Sequence, residues 1–253
     1  MGHTGTLDPF ATGLLPVCIG KATRIAGKIS GNHKEYFVSL QLGLKTDSGD
    51  ITGKTIASES IEPYRFEQIT ALKKKILSIC KQKPPRFSAL KVGGKRAYEL
   101  ARKNQEIDLP ERPVRILDFE ILKYSHPQIE YRAVVSKGTY LRSLSETIAE
   151  MLGTIGTTTA LRRSQIAGLE FAEPVELEKI TSDNWRHFLI PVPRLFPELP
   201  HFQTDRIEDF LHGRRFAVEQ EDAAEILVFD RQGNFGGFGQ IKDGKLQPVM
   251  VLG

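Results

Sequence analysis

Gly2-His3-Thr4-Gly5-Thr6-Leu7-Asp8-Pro9-Phe10-Ala11-Thr12-Gly13 opens the chain, and its reading decides how the rest is read. So much Gly and Thr marks a loop. It is not a phosphate-cradling P-loop, because no Gly-Lys-Ser/Thr follows the glycines. Nor is it a dinucleotide fingerprint, since no strand precedes it and the glycine spacing is wrong. Taken by itself, an Asp before Pro among Gly and Thr is a turn former or a helix cap.

Outward from this loop, Gly13 to Ile19 reads as a short buried strand. Ala22, Ile25, Ala26 and Ile29 follow at helical spacing, closed by Gly31-Asn32. From Lys34 the period switches to two. Tyr36, Val38, Leu40, Leu42 and Leu44 point one way along a strand that ends at the turn Thr46-Asp47-Ser48-Gly49-Asp50. Phe66, Ile69, Leu72, Ile76 and Ile79 form an amphipathic helix that stops before Pro84-Pro85. A glycine-kinked basic loop, Arg86 to Arg96, and a short helix with Tyr98, Leu100 and Ala101 come next. Strands over about 114–124 and 129–136 lead into Lys137-Gly138-Thr139-Tyr140-Leu141-Arg142. Leu141, Leu144, Ile148 and Met151 then mark a helix, and another strand lies near 158–163. Pro191, Pro193, Pro197 and Pro200 signal a linker. Beyond it, short strands near 226–229, 236–241 and 248–252 with Gly-rich turns suggest a small β domain.

The chain has 253 residues, 40% hydrophobic and 26% charged, which suits one large or two modest domains and excludes disorder as the main theme. A collagen-like or disulfide-scaffold class is excluded as well. No apolar run approaches the ~18 residues that span a bilayer, and the start is no signal peptide. Cys18 and Cys80 sit in apolar contexts without metal-ligand spacing, so both read as buried thiols of a reducing compartment, and the expected location is cytoplasmic. The net charge of +4 hides an asymmetry: 73–103 holds eleven Lys/Arg against one acid, and the remaining residues carry 24 bases and 30 acids. One segment therefore carries all the excess positive charge. A polyanion docking there and a solvated lysine-rich helix face both account for it.

Read as a whole, the opening string resembles the catalytic loop of the TruB family, the tRNA pseudouridine-55 synthases. Tyr36-Phe37-Val38, Thr46-Asp47-Ser48-Gly49-Asp50, Ser88-Ala89-Leu90-Lys91 with Gly94-Lys95, Ser136 to Arg142, and Ala160-Leu161-Arg162-Arg163 resemble family segments in the family's order. Gly233-Asn234-Phe235-Gly236-Gly237-Phe238-Gly239 is similar to the end of the short PUA-type domain these enzymes carry. The likeness covers essentially the whole chain. It also implies an upstream strand with a Lys-Pro element, since this chain begins inside the motif.

The resemblance implies an α+β fold: a pseudouridine-synthase mixed or antiparallel sheet with flanking helices and a thumb-like basic insertion, then a small β-rich PUA-like domain. The expected boundaries are 1–190 for the catalytic domain with the insertion at 73–103, 191–200 for the linker, and 201–253 for the RNA-binding tail. The implied reaction breaks the N1–C1′ bond of uridine 55 in the T-loop, turns the uracil over and bonds C5 to C1′, without cofactor or metal.

By resemblance Asp8 is the essential carboxylate. Adding to the base, attacking C1′ and removing the C2′ proton all remain open to it. Arg142 matches the residue that pairs with it; helical register alone would make Arg142 a surface salt bridge. Tyr36 matches the aromatic that stacks on the everted base and handles the C5 proton, and its strand parity also places it in the core. Tyr140 and Leu161 match the uracil pocket, and His3 the residue that fills the gap left in the RNA. Lys91, Lys95 and Arg96 would grip phosphates. Asp47 and Asp50 are read as turn caps with, at most, pocket support.

The expected partner is the tRNA T-arm, bound by a monomer with no membrane and no protein partner. Two other readings stand beside the isomerase: a non-catalytic tRNA-binding chaperone module, and a guide-RNA-dependent relative. The short tail and the basic insertion argue against the second.

Overall fold

Two short strands, β1 (Gly2–His3) and β2 (Thr12–Gly13), flank the opening loop, and β3 (Val17–Cys18) follows. A 3-10 turn at Gly20–Ile25 runs into α1 (Ala26–Ser30). Next come β4 (Lys34–Leu42), the hairpin β5 (Leu44–Thr46) and β6 (Thr55–Ser58), and the helices α2 (Phe66–Thr70) and α3 (Lys73–Leu77). β7 (Lys81–Gln82), β8 (Lys91–Val92) and β9 (Lys95–Arg96) lie in the lysine-rich segment, and β10 (Arg112–Pro113) follows it. β11 (Ile116–Ser125), β12 (Gln128–Val135), α4 (Leu141–Met151) and β13 (Gly156–Ile166) complete the larger sheet and its main helix. The tail holds β14 (His201–Gln203), α5 (Ile207–Leu211), β15 (Phe216–Ala217), β16 (Ala223–Phe229), β17 (Phe235–Lys242) and β18 (Lys245–Val251). The structure, a computed structural model, describes all residues except 89, 93–94 and 97–108, and describes Lys91, Val92, Lys95 and Arg96 by backbone alone.

These elements sort into two units. One comprises Thr4–Pro16 and Lys28–Glu170, the other Met1–His3, Val17–Gly27 and Phe171–Gly253. The sequence placed a linker at 191–200; in the structure those residues, including a 3-10 turn at Val192–Leu195, count with the tail's unit.

The first unit is built on a five-stranded sheet in the order β11-β12-β4-β13-β2. Every pair is antiparallel except β13 with β2, so the sheet is mixed, as the fold class requires. The period-two reading of β4 holds: Tyr36, Val38, Leu40 and Leu42 are buried, while Phe37 is 40% exposed. Helices α2, α3 and α4 cover the buried face with Ile69, Leu72, Ile76, Leu141, Leu144 and Ile148. The second unit's sheet runs β14-β16-β17-β18-β15, with Phe210 and Phe216 packed against Ile226, Val228, Ile241 and Leu246.

Four local expectations change. The strand expected over Gly13 to Ile19 is two pieces with different partners, β2 on β13 and β3 on β1, because Gly13 bends the chain at φ +98° and Pro16 lacks an N–H. Leu44 does not continue β4: Gly43 turns the chain at φ +76°, and Leu44 begins a hairpin. The helix over 66–79 is interrupted at Ala71-Leu72, yet its stripe of Ile69, Leu72 and Ile76 stays buried. Cys18 is buried but Cys80 is exposed, at the point where the chain leaves α3 for β7.

Gly156 shows how closely α4 lies on the sheet. A Cβ there would stand 2.7 Å from both Ala149 Cβ and Leu40 Cδ1. Gly156→Ala should therefore cost about 1–3 kcal/mol through overpacking, read as a lower midpoint in urea unfolding with an unchanged slope. An unaltered midpoint would contradict this packing.

Candidate active site

Arg142 is the second residue of α4, and its side chain is buried beneath the opening loop, with 2% of the residue exposed. Its Nε donates to Asp8 Oδ2 at 2.9 Å and its Nη2 to Asp8 Oδ1 at 2.7 Å, so both carboxylate oxygens are held in a fork. The remaining donors are used as well. Nη1 donates to the Ser48 carbonyl at 2.8 Å and lies 3.4 Å from Asp50 Oδ2, and Nη2 also donates to the Phe87 carbonyl at 2.9 Å. Asp8 is more open, with a quarter of its side chain exposed. One buried guanidinium thus gathers a loop, a turn and the backbone at Phe87, while the carboxylate it grips is partly exposed.

Asp8 is placed by backbone and by a second arginine. The Ala11 N–H donates to the Asp8 carbonyl at 2.9 Å, closing a turn through Pro9, and Leu7 and Phe10 pack on the core. Arg163, 1% exposed on β13, donates from Nε to the Leu14 carbonyl at 2.6 Å and from Nη2 to the Gly5 carbonyl at 3.2 Å. The backbone at Gly13 runs so close to β13 that a Cβ would stand 2.1 Å from the Arg163 carbonyl oxygen. Only glycine fits there.

The turn after β5 does more than the sequence suggested. Asp47 is exposed and accepts the Lys54 N–H at 2.9 Å, a plain turn cap. Asp50 is buried; its Oδ1 accepts from Ser48 Oγ (3.0 Å), the Thr52 N–H (3.0 Å) and Thr52 Oγ1 (2.5 Å), while Oδ2 faces Arg142. It caps its turn and backs the arginine at once. The turn itself is docked on β13 through Ile51 N–H to Thr158 O and Thr158 N–H to Gly49 O.

Tyr36 lies in the core, where its strand parity puts it. It is 8% exposed among the core residues of β4, and its phenol lies within electrostatic reach of Arg163 and Asp8. Burial pushes its pKa up, Arg163 pulls against that, and Asp8 adds to the rise. Tyr140 behaves alike: burial raises its pKa, the Ser88 hydroxyl and Arg142 oppose it, and Asp8 adds to it. The Ser88 hydroxyl is close to this phenol but makes no hydrogen bond of ordinary geometry. Leu161 is 6% exposed in the same core.

The structure therefore brings Asp8, Arg142, Tyr36 and Tyr140 together. His3 is exposed on β1 and belongs to the other unit. The side chains of Lys91, Lys95 and Arg96 lie outside the described residues; Lys73, Lys74, Lys75, Lys81, Lys83 and Arg86 are exposed. A cavity of about 220 Å³ is lined by Phe10, Thr12, Phe37, Leu122, Leu161 and Arg162 among others; of the expected site residues Leu161 lines it, whereas Asp8, Tyr36, Tyr140 and Arg142 do not. Sequence reasoning allows Asp50 at most pocket support and assigns no site role to Arg163 or Gln82, yet Asp50 backs Arg142, Arg163 holds the carbonyls of Gly5 and Leu14, and Gln82 pairs with the Tyr140 backbone. No group of three or more metal-ligating side chains occurs among the described residues.

Two tests follow from these contacts. Asp50→Ala takes the carboxylate away from the buried Ser48 hydroxyl and Arg142 guanidinium, so it should cost about 2–4 kcal/mol, whereas Asp47→Ala should cost under about 1 kcal/mol. Equal losses in urea unfolding would contradict the assignment. Lys34 supplies the second. It is 7% exposed, and its Nζ donates to the carbonyls of Ser30 (3.1 Å) and Asn32 (2.8 Å). Burial, then Arg163 and Lys137, lower its pKa from 10.5 to about 8. Between those values the unfolded chain binds more protons than the folded one, so this group makes stability rise with pH across about 8 to 10.5. The stability difference between wild type and Lys34→Met should shift toward the wild type over that range, and a constant difference would refute it.

Comparison with known proteins bears on this site. Residues 1–141 match the model of the TruB family pseudouridylate synthase N-terminal domain. The tRNA pseudouridine synthase B of Hydrogenovibrio crunogenus is 39% identical over 244 residues, covering 94% of this chain and 79% of the relative. That of Clostridium tetani is 36% identical over 252 residues, covering 95% and 85%, and that of Aquifex aeolicus 35% over 260, covering 99% and 89%. Among solved structures, a Cbf5-Nop10-Gar1 complex contains a chain with the same fold at a TM-score of 0.67 and 20% identity, covering 100% of this chain and 75% of that one. An H/ACA ribonucleoprotein bound to a substrate RNA containing 2′-deoxyuridine gives 0.65 at 18%, covering 99% and 75%.

Proposed function

Since the chain belongs to the TruB family of pseudouridylate synthases, we propose that it isomerises uridine 55 in the T-loop of tRNA to pseudouridine, with Asp8 as the acting carboxylate. The observation that carries this reading is the forked ion pair of a partly exposed Asp8 with the buried Arg142, set beside two tyrosines.

The target base is stacked in its loop, so it must be everted, at a cost of a few kcal/mol. Stacking on Tyr36 returns about 1–3 kcal/mol. Asp8 then meets the nucleotide with its orientation fixed by Arg142, so little freedom is lost on the way to the transition state. Tyr36 and Tyr140 keep their protons, since burial raises both phenols, and act as hydroxyls that donate or relay a proton. Leu161 and Tyr140 flank the uracil, and His3 fills the gap left in the RNA. No step calls for an oxidant, a phosphate donor or a metal.

The exposed bases of the insertion and the tail's unit hold the T-arm by its phosphates, so affinity falls with salt while the folded shape of the loop gives recognition. We further propose a cytoplasmic monomer that works without a guide RNA; no helix among the described residues is long and apolar enough to cross a membrane.

Asp8→Asn separates the isomerase from a binding module. It should keep affinity for an unmodified tRNA transcript within about threefold while pseudouridine formation falls at least about 10³-fold, the scale of losing a group that acts only in the transition state. Pseudouridine appearing at near the parent rate, read by mass spectrometry of the T-arm fragment, would sink the reading.

A further inference from the structure

Gln82 stands in the most lysine-rich part of the chain, where a glutamine would be expected in solvent, yet it is 7% exposed. It lies on β7, the stem through which the chain enters the insertion, paired antiparallel with β10, the stem through which it leaves: Gln82 faces Arg112 and Lys81 faces Pro113. Its side-chain amide is spent on one backbone residue. Nε2 donates to the Tyr140 carbonyl at 3.0 Å, and Oε1 accepts the Tyr140 N–H at 2.8 Å. Tyr140 is the N-cap of α4 and has no side-chain cap, so this amide fixes the residue that begins the helix.

Two further contacts follow in order. Ser143 Oγ donates to the Lys83 carbonyl at 3.0 Å, and Arg142 Nη2 donates to the Phe87 carbonyl at 2.9 Å. That same nitrogen grips Asp8 Oδ1. Between the attachments stand Pro84 and Pro85, whose rings restrict φ and stiffen the segment. The stem from 82 to 87 is therefore stitched to the first turn of α4 at residues 140, 142 and 143, which carry a proposed pocket tyrosine and the arginine of the ion pair. Packing alone does not require this. An apolar side chain would fill the space, whereas a paired amide sets the height and angle of one backbone unit.

We propose that Gln82 is a positioning residue for the isomerisation, acting through Tyr140 and Arg142 by tying the stem of the RNA-gripping insertion to the turn that carries them. The assignment rests on the isomerase reading above and adds the element that aligns its site. Gln82 does not touch the nucleotide; it sets where Tyr140 and Arg142 stand when RNA is held on the insertion.

The test measures, on the full chain, the rate of pseudouridine formation at saturating T-arm transcript and the dissociation constant for the same RNA. Gln82→Ala should lower the saturating rate about 10–100-fold, the cost of a misplacement near 1 Å, with the dissociation constant within about threefold. Gln82→Glu keeps the acceptor for the Tyr140 N–H and should recover part of the lost rate. A purely structural glutamine would lower thermal stability and leave the saturating rate of the folded protein unchanged, and that result, within twofold of wild type, overturns the proposal. Should Gln82→Ala not fold, Ser143→Ala removes only the Lys83 contact; it should reduce the saturating rate about 3–10-fold, and an unchanged rate overturns the proposal equally. A wild-type protein that converts no uridine at all is a different failure, because it removes the isomerase reading itself.

Discussion

A guanidinium buried to 2% exposure needs a partner for every N–H it carries, and in this protein that requirement organises the site. Arg142 meets it with a carboxylate fork from Asp8, the carbonyls of Ser48 and Phe87, and the facing carboxylate of Asp50. These acceptors come from three separate parts of the chain. None could move away alone without leaving a buried donor unsatisfied, at about 1–3 kcal/mol each. The loop, the turn after β5, the first turn of α4 and the stem of the insertion are thereby held in one arrangement before any RNA arrives.

A charge pair of this kind is weak evidence for stability, since its desolvation offsets much of its attraction. Its value lies in geometry. Arg142 is sealed in, while Asp8 keeps a quarter of its side chain open. Arg163 repeats the device at the two ends of the loop, holding the carbonyls of Gly5 and Leu14. Two arginines with different tasks thus flank one short loop: one orients the carboxylate, the other keeps the backbone around it from drifting. Effective positioning of a reacting group can supply about 7–11 kcal/mol of a barrier, so with Asp8 as the proposed acting carboxylate these rigid supports would serve catalysis even when they add little to folding.

How much of this was legible in the sequence follows from how local each feature is. The burial of Tyr36, Val38, Leu40 and Leu42 was written in a period of two, and the buried face of α4 in the spacing of Leu141, Leu144 and Ile148. Asp8 and Arg142 were found through resemblance, because an Asp-Pro turn and a helical arginine carry no mark of their partner 134 positions away. Asp50 was read as a turn cap, which it is, but its second oxygen serves a residue remote in sequence. Gln82 was invisible: its neighbours are lysines, and burial of its amide depends on Tyr140 crossing beneath it. The grouping of Met1–His3 and Val17–Gly27 with the tail was equally out of reach, since no local pattern records which distant strands a short segment joins.

The most direct measurement is a crystal structure of the protein with an unmodified T-arm bound at the site. The account predicts an everted uridine with a carboxylate oxygen of Asp8 about 3–3.5 Å from the nucleotide atom it acts on, the uracil against Tyr36, and Arg142 still forked onto Asp8. A target uridine left stacked in its loop, or a complex in which Arg142 has released Asp8 to hold a phosphate, would contradict it.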